Sequence, residues 1–198
     1  MKFARRFVLA VLLVSVIHPL TATAETISTL TLDSFSFVSF GEIEEIYLPA
    51  GSTIVFRFGD PNPDGSVPFT IDPQGVTIAP VALPQGAGTL QYSIPTAATG
   101  LMQTTSDGRR IEFIAKVRAT ITGGADDGSY EYTLPFTTEV ATATDLPRTV
   151  QLTIEGLRMI EGVWYLQLVG ATTNKEHAFP QPGTAVYTVL SGTFDQIP

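Results

Sequence analysis

An alternation of apolar and polar residues at every second position is the feature of this chain that most restricts its fold. In residues 110–122 the odd positions from Ile111 to Ile121 are all apolar, and the even positions are polar except for Ile114. Successive side chains of a β-strand point to opposite faces of a sheet, so this period predicts a long strand with one buried face. Residues 129–140 repeat the pattern.

The two alternating segments are joined by the sequence GGADDG, residues 123–128. Glycine and aspartate tolerate the backbone angles of tight turns, and such a cluster between two strand patterns is typical of a β-hairpin. We therefore predict that residues 110–122 and 129–140 pair as antiparallel strands.

Shorter strand patterns fill most of the remaining chain. The 17 glycines and 14 prolines interrupt every potential helix, and Thr, Val, Phe, Tyr and Ile occupy the segments between them. About ten to twelve short strands separated by turns predict an all-β antiparallel β-sandwich, with a β-barrel as the alternative. The further predicted strands are 27–32, 35–40, 44–48, 53–58, 67–71, 76–81, 89–94, 149–155, 163–169 and 185–194.

Residues 95–109 lack a strand pattern and are predicted to be a long crossover loop. A boundary between two domains is the alternative. One domain is preferred, because two halves of about 70 residues would have marginal cores without disulfides, and the chain has no cysteine.

The amino terminus has the form of an export signal. Lys2, Arg5 and Arg6 precede an apolar run at residues 7–17, and Ala22 and Ala24 supply the small residues of a cleavage site. The run is about half of the roughly 20 residues that a membrane-spanning helix needs. We therefore expect a cleaved signal peptide at 1–24, a single domain at 25–198 without a transmembrane helix, and export to the periplasm, the cell surface or the medium of a bacterium.

The acidity of the mature chain restricts its partners. Three of the 11 basic residues lie in the signal, so eight remain against 19 acidic residues, a net charge of −11. Nucleic acids and anionic membrane surfaces are bound through Lys and Arg, and we expect neither as a partner. A protein or a carbohydrate remains as the expected partner.

Most catalytic chemistries lack their residues here. His177 is the only histidine after removal of the signal, there is no cysteine, and no Gly-x-Ser-x-Gly or phosphate-binding loop occurs. The carboxylates lie on turns or on polar faces of strands, and no pair stands out. We therefore predict a noncatalytic module that acts in binding, adhesion or assembly. The alternatives are a carbohydrate-active enzyme with paired carboxylates and a small outer-membrane β-barrel.

The sequence FGDPNPDGSVPF, residues 58–69, contains half of a calcium-loop consensus. Asp60, Asn62 and Asp64 alternate and Ser66 follows, which matches ligand positions 1, 3, 5 and 7 of an EF-hand loop. Position 12, where the bidentate glutamate belongs, is Ile71. The sequence therefore permits a calcium site completed by another carboxylate, such as one of residues 42–45, and equally permits a rigid turn; no other cofactor is indicated.

Overall fold

The computed structural model describes residues 25–40, 45–105, 108–125, 127–138, 158–160, 163–173 and 185–198. The predicted signal peptide, the strand predicted at 149–155 and His177 lie outside these residues. The described part contains two turns of 3-10 helix, Pro73–Gly75 and Pro84–Gly86, and fourteen strands: β1 (Thr26–Leu32), β2 (Phe37–Phe40), β3 (Ile46–Tyr47), β4 (Thr53–Phe58), β5 (Val67–Ile71), β6 (Val76–Thr77), β7 (Val81–Ala82), β8 (Thr89–Ser93), β9 (Ala98–Thr105), β10 (Gly108–Thr122), β11 (Gly128–Thr137), β12 (Arg158–Ile160), β13 (Val163–Thr173) and β14 (Ala185–Phe194).

Eight antiparallel strands close into a barrel. They pair in the order β1, β4, β5, β9, β10, β11, β13 and β14, and β14 returns to β1 through pairs such as Leu30 with Phe194. The all-β antiparallel prediction is confirmed. The preferred β-sandwich is wrong and the alternative, a β-barrel, is correct, because β14 pairs with β13 on one edge and with β1 on the other, which leaves no gap between two sheets.

The predicted hairpin is confirmed as β10 and β11. Their register is unbroken from the pair Glu112 and Thr137 to the pair Ile121 and Gly128. The other edge of β10 pairs first with β9 and then with β8. Strands β7 and β8 extend the sheet beyond the ring at β10, β6 adds to β4, β2 and β3 add to β14, and β12 adds to β13.

The inward faces of the barrel strands form an aromatic core. Phe56 lies at its centre, with ring centroids 5.1 Å from Phe69 and 5.1 Å from Phe194. Phe113 and Phe136 stack at 4.8 Å across the hairpin. Each of these residues belongs to the apolar phase of its strand, so the alternation seen in the sequence produces the buried face.

Strand β9 corrects the prediction of a crossover loop at residues 95–109. It pairs with β5 on one edge and with β10 on the other, and is therefore part of the barrel wall. Gly100 explains why its pattern is weak: a Cβ there would lie 2.3 Å from the Glu112 carbonyl oxygen and 2.5 Å from Phe69 Cζ. The aromatic core fills the place where an inward apolar side chain would otherwise mark the strand.

The barrel closes at a polar corner where β14 changes its neighbour from β2 to β1. The Ser191 amide donates to Ser36 Oγ at 2.9 Å, and the Ser36 hydroxyl donates to the Ser191 carbonyl at 2.8 Å. The Ser191 hydroxyl in turn donates to Asp33 Oδ2 at 2.8 Å. The bonds with Ser36 satisfy the backbone amide and carbonyl of Ser191, which lies between the part of β14 that pairs with β2 and the part that pairs with β1.

No helix within the described ranges combines the length and the hydrophobicity that crossing a membrane would require.

Candidate functional site

Buried apolar side chains pack together in the interior of the barrel. A cavity of about 30 Å³ remains, lined by apolar residues that include Ile54, Ile71, Val117 and Leu190. This volume is close to that of one water molecule. Small-molecule pockets are about ten times larger or more, so this cavity has no room for an organic ligand.

Two buried tyrosines have different surroundings inside the barrel. The hydroxyls of Tyr92 and Thr188 are hydrogen-bonded to each other at 2.8 Å. The Tyr132 hydroxyl is buried without a hydrogen-bond partner among the described residues. Burial raises the pKa of both phenols far above the ordinary value, so both stay protonated at neutral pH.

Removing each of the two phenol hydroxyls is expected to change stability in opposite directions. Tyr132→Phe removes an unsatisfied polar atom and should raise the free energy of unfolding by about 1 kcal/mol. Tyr92→Phe leaves the Thr188 hydroxyl without its partner and should lower it by a similar amount, about 1 kcal/mol. Urea unfolding of both variants measures the two values. A destabilising Tyr132→Phe would contradict the assignment of an unsatisfied hydroxyl.

A surface concavity lies on the outer face of β9, β10 and β11. We call it the outer groove; its volume is about 780 Å³, and Leu101, Arg110, Glu112, Ile114 and Pro135 contribute to its wall. Ile114 is 62% exposed and Leu101 is 39% exposed. The register of the strands explains this cluster. Ile114 pairs directly with Pro135 of β11. Leu101 of β9 pairs with Glu112, the outward residue of β10 that precedes Ile114, so Leu101 and Ile114 are diagonal neighbours.

The sequence contains one signal for this groove. Ile114 is the apolar exception among the polar, even positions of residues 110–122. Those positions lie on the outer face, so an isoleucine there is exposed. Leu101 gave no such signal, because its strand was not predicted and its outward direction follows only from pairing with β10.

Charged side chains continue from the groove along β10 and β11. Lys116 Nζ lies 2.5 Å from Glu131 Oε2, and Arg118 donates to Glu131 Oε1 from Nη2 at 2.5 Å and from Nε at 3.0 Å. The hydrogen bonds from Lys116 and then Arg118 hold the pKa of the Glu131 carboxyl below its usual range. Two cations share one carboxylate here. At the other end of the groove, Arg110 is paired with Glu112.

The four residues of the predicted calcium loop lie in the connection between β4 and β5. The side chains of three of them bond to one another: Asn62 Nδ2 donates to Ser66 Oγ at 2.9 Å, and the Ser66 hydroxyl and amide donate to Asp64 Oδ1 at 2.7 and 2.9 Å. The hydrogen bonds from the Ser66 hydroxyl and amide lower the pKa of the Asp64 carboxyl. The Ser66 carbonyl accepts from the Asn62 amide at 2.7 Å, and Asp60 is exposed.

These hydrogen bonds close the connection into a tight turn. Gly65 has a positive φ of 82°, which the turn requires and which favours glycine. Among the residues that the structure describes, no group of three or more His, Cys, Asp or Glu side chains is placed to hold a metal ion. Glu45 is described and bonds to the Tyr47 hydroxyl at 2.6 Å, whereas residues 42 and 44 lie outside the described part.

Calcium binding by Asp60, Asn62, Asp64 and Ser66 stays a prediction, and it has a direct test. If the loop binds calcium, millimolar calcium should raise the melting temperature relative to a chelator, and Asp64→Asn should abolish the difference. Asp127→Asn, in the hairpin turn, is the matched control and should retain it. Equal melting temperatures of the unmodified protein in calcium and in chelator would exclude the site at that concentration.

Comparisons with known proteins add no relative. No protein-family model matches this chain, and no curated protein and no solved structure matches it.

Proposed function

We propose that this protein is an exported, noncatalytic β-barrel module that works by binding or assembly, and that the outer groove is its binding surface. The observation that carries the proposal is the exposure of Ile114 and Leu101 beside Pro135, on a face where the other strand positions are polar. Exposed apolar side chains that lie together on a polar face are a feature of interaction sites in soluble proteins. The small size of the described interior cavity gives no support to ligand binding there.

The chemistry of the groove favours binding over glycoside hydrolysis. Hydrolysis requires two carboxyl groups that face the sugar. Of the described residues that form the groove wall, Glu112 alone has a carboxylate, and it is paired with Arg110. The carbohydrate-active alternative therefore receives no support from this surface.

The distribution of charge likewise favours a module in water over one in lipid. Lys116, Arg118 and Glu131 lie on the outward face of the barrel, and apolar side chains fill the inward face. An outer-membrane barrel has the opposite polarity, with an apolar outside and a polar inside.

The proposal is tested by comparing two variants as immobilised baits. Ile114→Glu places a charge in the groove, whereas Val163→Glu makes the same kind of change on β13 at a residue that is 39% exposed. Proteins or glycans retained from the producing organism by the unmodified chain and by Val163→Glu should be lost with Ile114→Glu. Retention that is identical for all three baits would contradict a binding role for the outer groove.

A further inference from the structure

The outward side chains of β10 have a charge order centred on Ile114. Glu112 and Lys116 lie two residues before and two residues after it, on the same face. A strand rises about 3.3 Å per residue, so the two charges lie at equal distances of roughly 7 Å on either side of Ile114. If an identical strand packs on this one in the opposite direction, the acidic group of each strand lies opposite the basic group of the other.

We infer that the outer groove binds the outer groove of a second copy of this chain, an inference that rests on the proposed function and names its partner. The two-fold axis lies between the two packed faces. It passes over Ile114 and is perpendicular to the direction of β10. Ile114 then contacts Ile114 of the second copy, and Glu112 faces Lys116 of the second copy. A two-fold contact repeats each pair, so one complementary arrangement produces two ion pairs.

The exposed parts of these side chains are free for such a contact. Ile114 is 62% exposed, and the side chains of Glu112 and Lys116 are 42% and 48% exposed despite their bonds within the chain. Pro135, which pairs with Ile114, faces Pro135 of the second copy and extends the apolar centre. The same axis brings Arg118 over Arg110 of the second copy, and each arginine keeps its own carboxylate, Glu131 or Glu112.

The protein's overall charge supports a local contact of this kind. The whole chain has a net charge of −8, which opposes association through most of its surface. The groove and its charged continuation contain Arg110, Lys116 and Arg118 against Glu112 and Glu131. This face therefore lacks the net negative charge of the chain as a whole, and that charge does not oppose a contact made through this face.

Sedimentation velocity of the protein over roughly 10 μM to 1 mM measures the association, since contacts of small area are weak. We expect a reversible dimer whose population rises with concentration. Ile114→Glu should abolish it, and Val163→Glu should leave it unchanged. Circular dichroism melting of each variant confirms that a lost dimer is not a lost fold.

Charge exchange tests the geometry of the dimer itself. Glu112→Lys alone places two lysines together at each pair and Lys116→Glu alone places two glutamates together, so each variant should be monomeric. An equimolar mixture of the two single variants restores both opposite-charge pairs, and so does the double variant Glu112→Lys/Lys116→Glu. We expect both the mixture and the double variant to recover dimerisation.

Two results would overturn the inference. The first is an unmodified protein that stays monomeric up to 1 mM, and the second is a dimer that persists in Ile114→Glu or whose single charge variants fail to complement on mixing. Either result leaves the proposed function standing if the immobilised protein still retains another partner through Ile114. The dimer and the proposed function are both excluded only if the protein is monomeric and the immobilised protein retains its partners equally well with and without Ile114.

Discussion

Phe56→Ala is expected to lower the free energy of unfolding by about 3 to 5 kcal/mol, as for other large aromatic residues truncated in a core. Phe56 is completely buried, and its ring lies within 6.3 Å of the ring centroids of Phe58, Phe69, Phe113 and Phe194. Phe58 belongs to the same strand, and the other three belong to β5, β10 and β14, so a cavity at Phe56 weakens contacts among four strands of the barrel.

Urea unfolding followed by the fluorescence of Trp164, the only tryptophan, measures this loss. Phe35→Ala is the matched control, because Phe35 is 69% exposed in the turn before β2 and its truncation should change stability by no more than about 0.5 kcal/mol. Similar values for the two variants would contradict the central position of Phe56.

Gly192→Ala is expected to destabilise the protein by more than about 3 kcal/mol, the upper end of what overpacking usually costs. A Cβ at this position would lie 2.1 Å from the Thr31 carbonyl oxygen and 2.8 Å from the Thr31 carbonyl carbon. Both are backbone atoms, so a side-chain rotation cannot relieve the clash. Strand β14 would have to move away from β1, and the barrel would open where Gly192 pairs with Leu32.

Gly59→Ala is the control for this substitution. Its Cβ would meet Pro68 Cγ at 3.5 Å, an ordinary contact, and Gly59 is not among the residues with positive φ. Because alanine also restricts the unfolded chain, Gly59→Ala should be neutral or stabilise by up to about 1 kcal/mol.

Hydrogen exchange locates the effect of Gly192→Ala. In this variant the amides of β1 and β14 should exchange faster, while those in the middle of the β10–β11 hairpin change less. Uniform acceleration throughout the barrel would contradict local opening at this closure.

The sequence predicted the elements with local signals and missed those without them. The hairpin of β10 and β11 was predictable because both strands alternate and the turn between them has its own residues. Strand β9 was missed because its neighbours decide its composition: Gly100 lies beneath Phe69 and Phe113, and Leu101 points outward. A residue whose identity is set by contacts distant in sequence gives no periodic signal of its own.

The same division holds for the candidate sites. The residues of the calcium hypothesis were visible because they lie within seven positions of one another, and the structure places three of them in one hydrogen-bonded turn. The outer groove was visible only as an unexplained isoleucine at position 114. Its neighbours Leu101 and Pro135 come from strands on either side of β10, and strand pairing alone brings the three together.

The sequence by itself determined that this protein is an antiparallel all-β chain with a buried apolar face, because a period of two follows from the geometry of a single strand. Only the tertiary structure decided between a sandwich and a barrel. That choice depends on the pairing of residues 30–32 of β1 with residues 192–194 of β14, and on a glycine at position 192 that lets their backbones meet. Strands of either fold alternate in the same way, so periodicity does not distinguish them, whereas closure is a property of the pairing between distant segments.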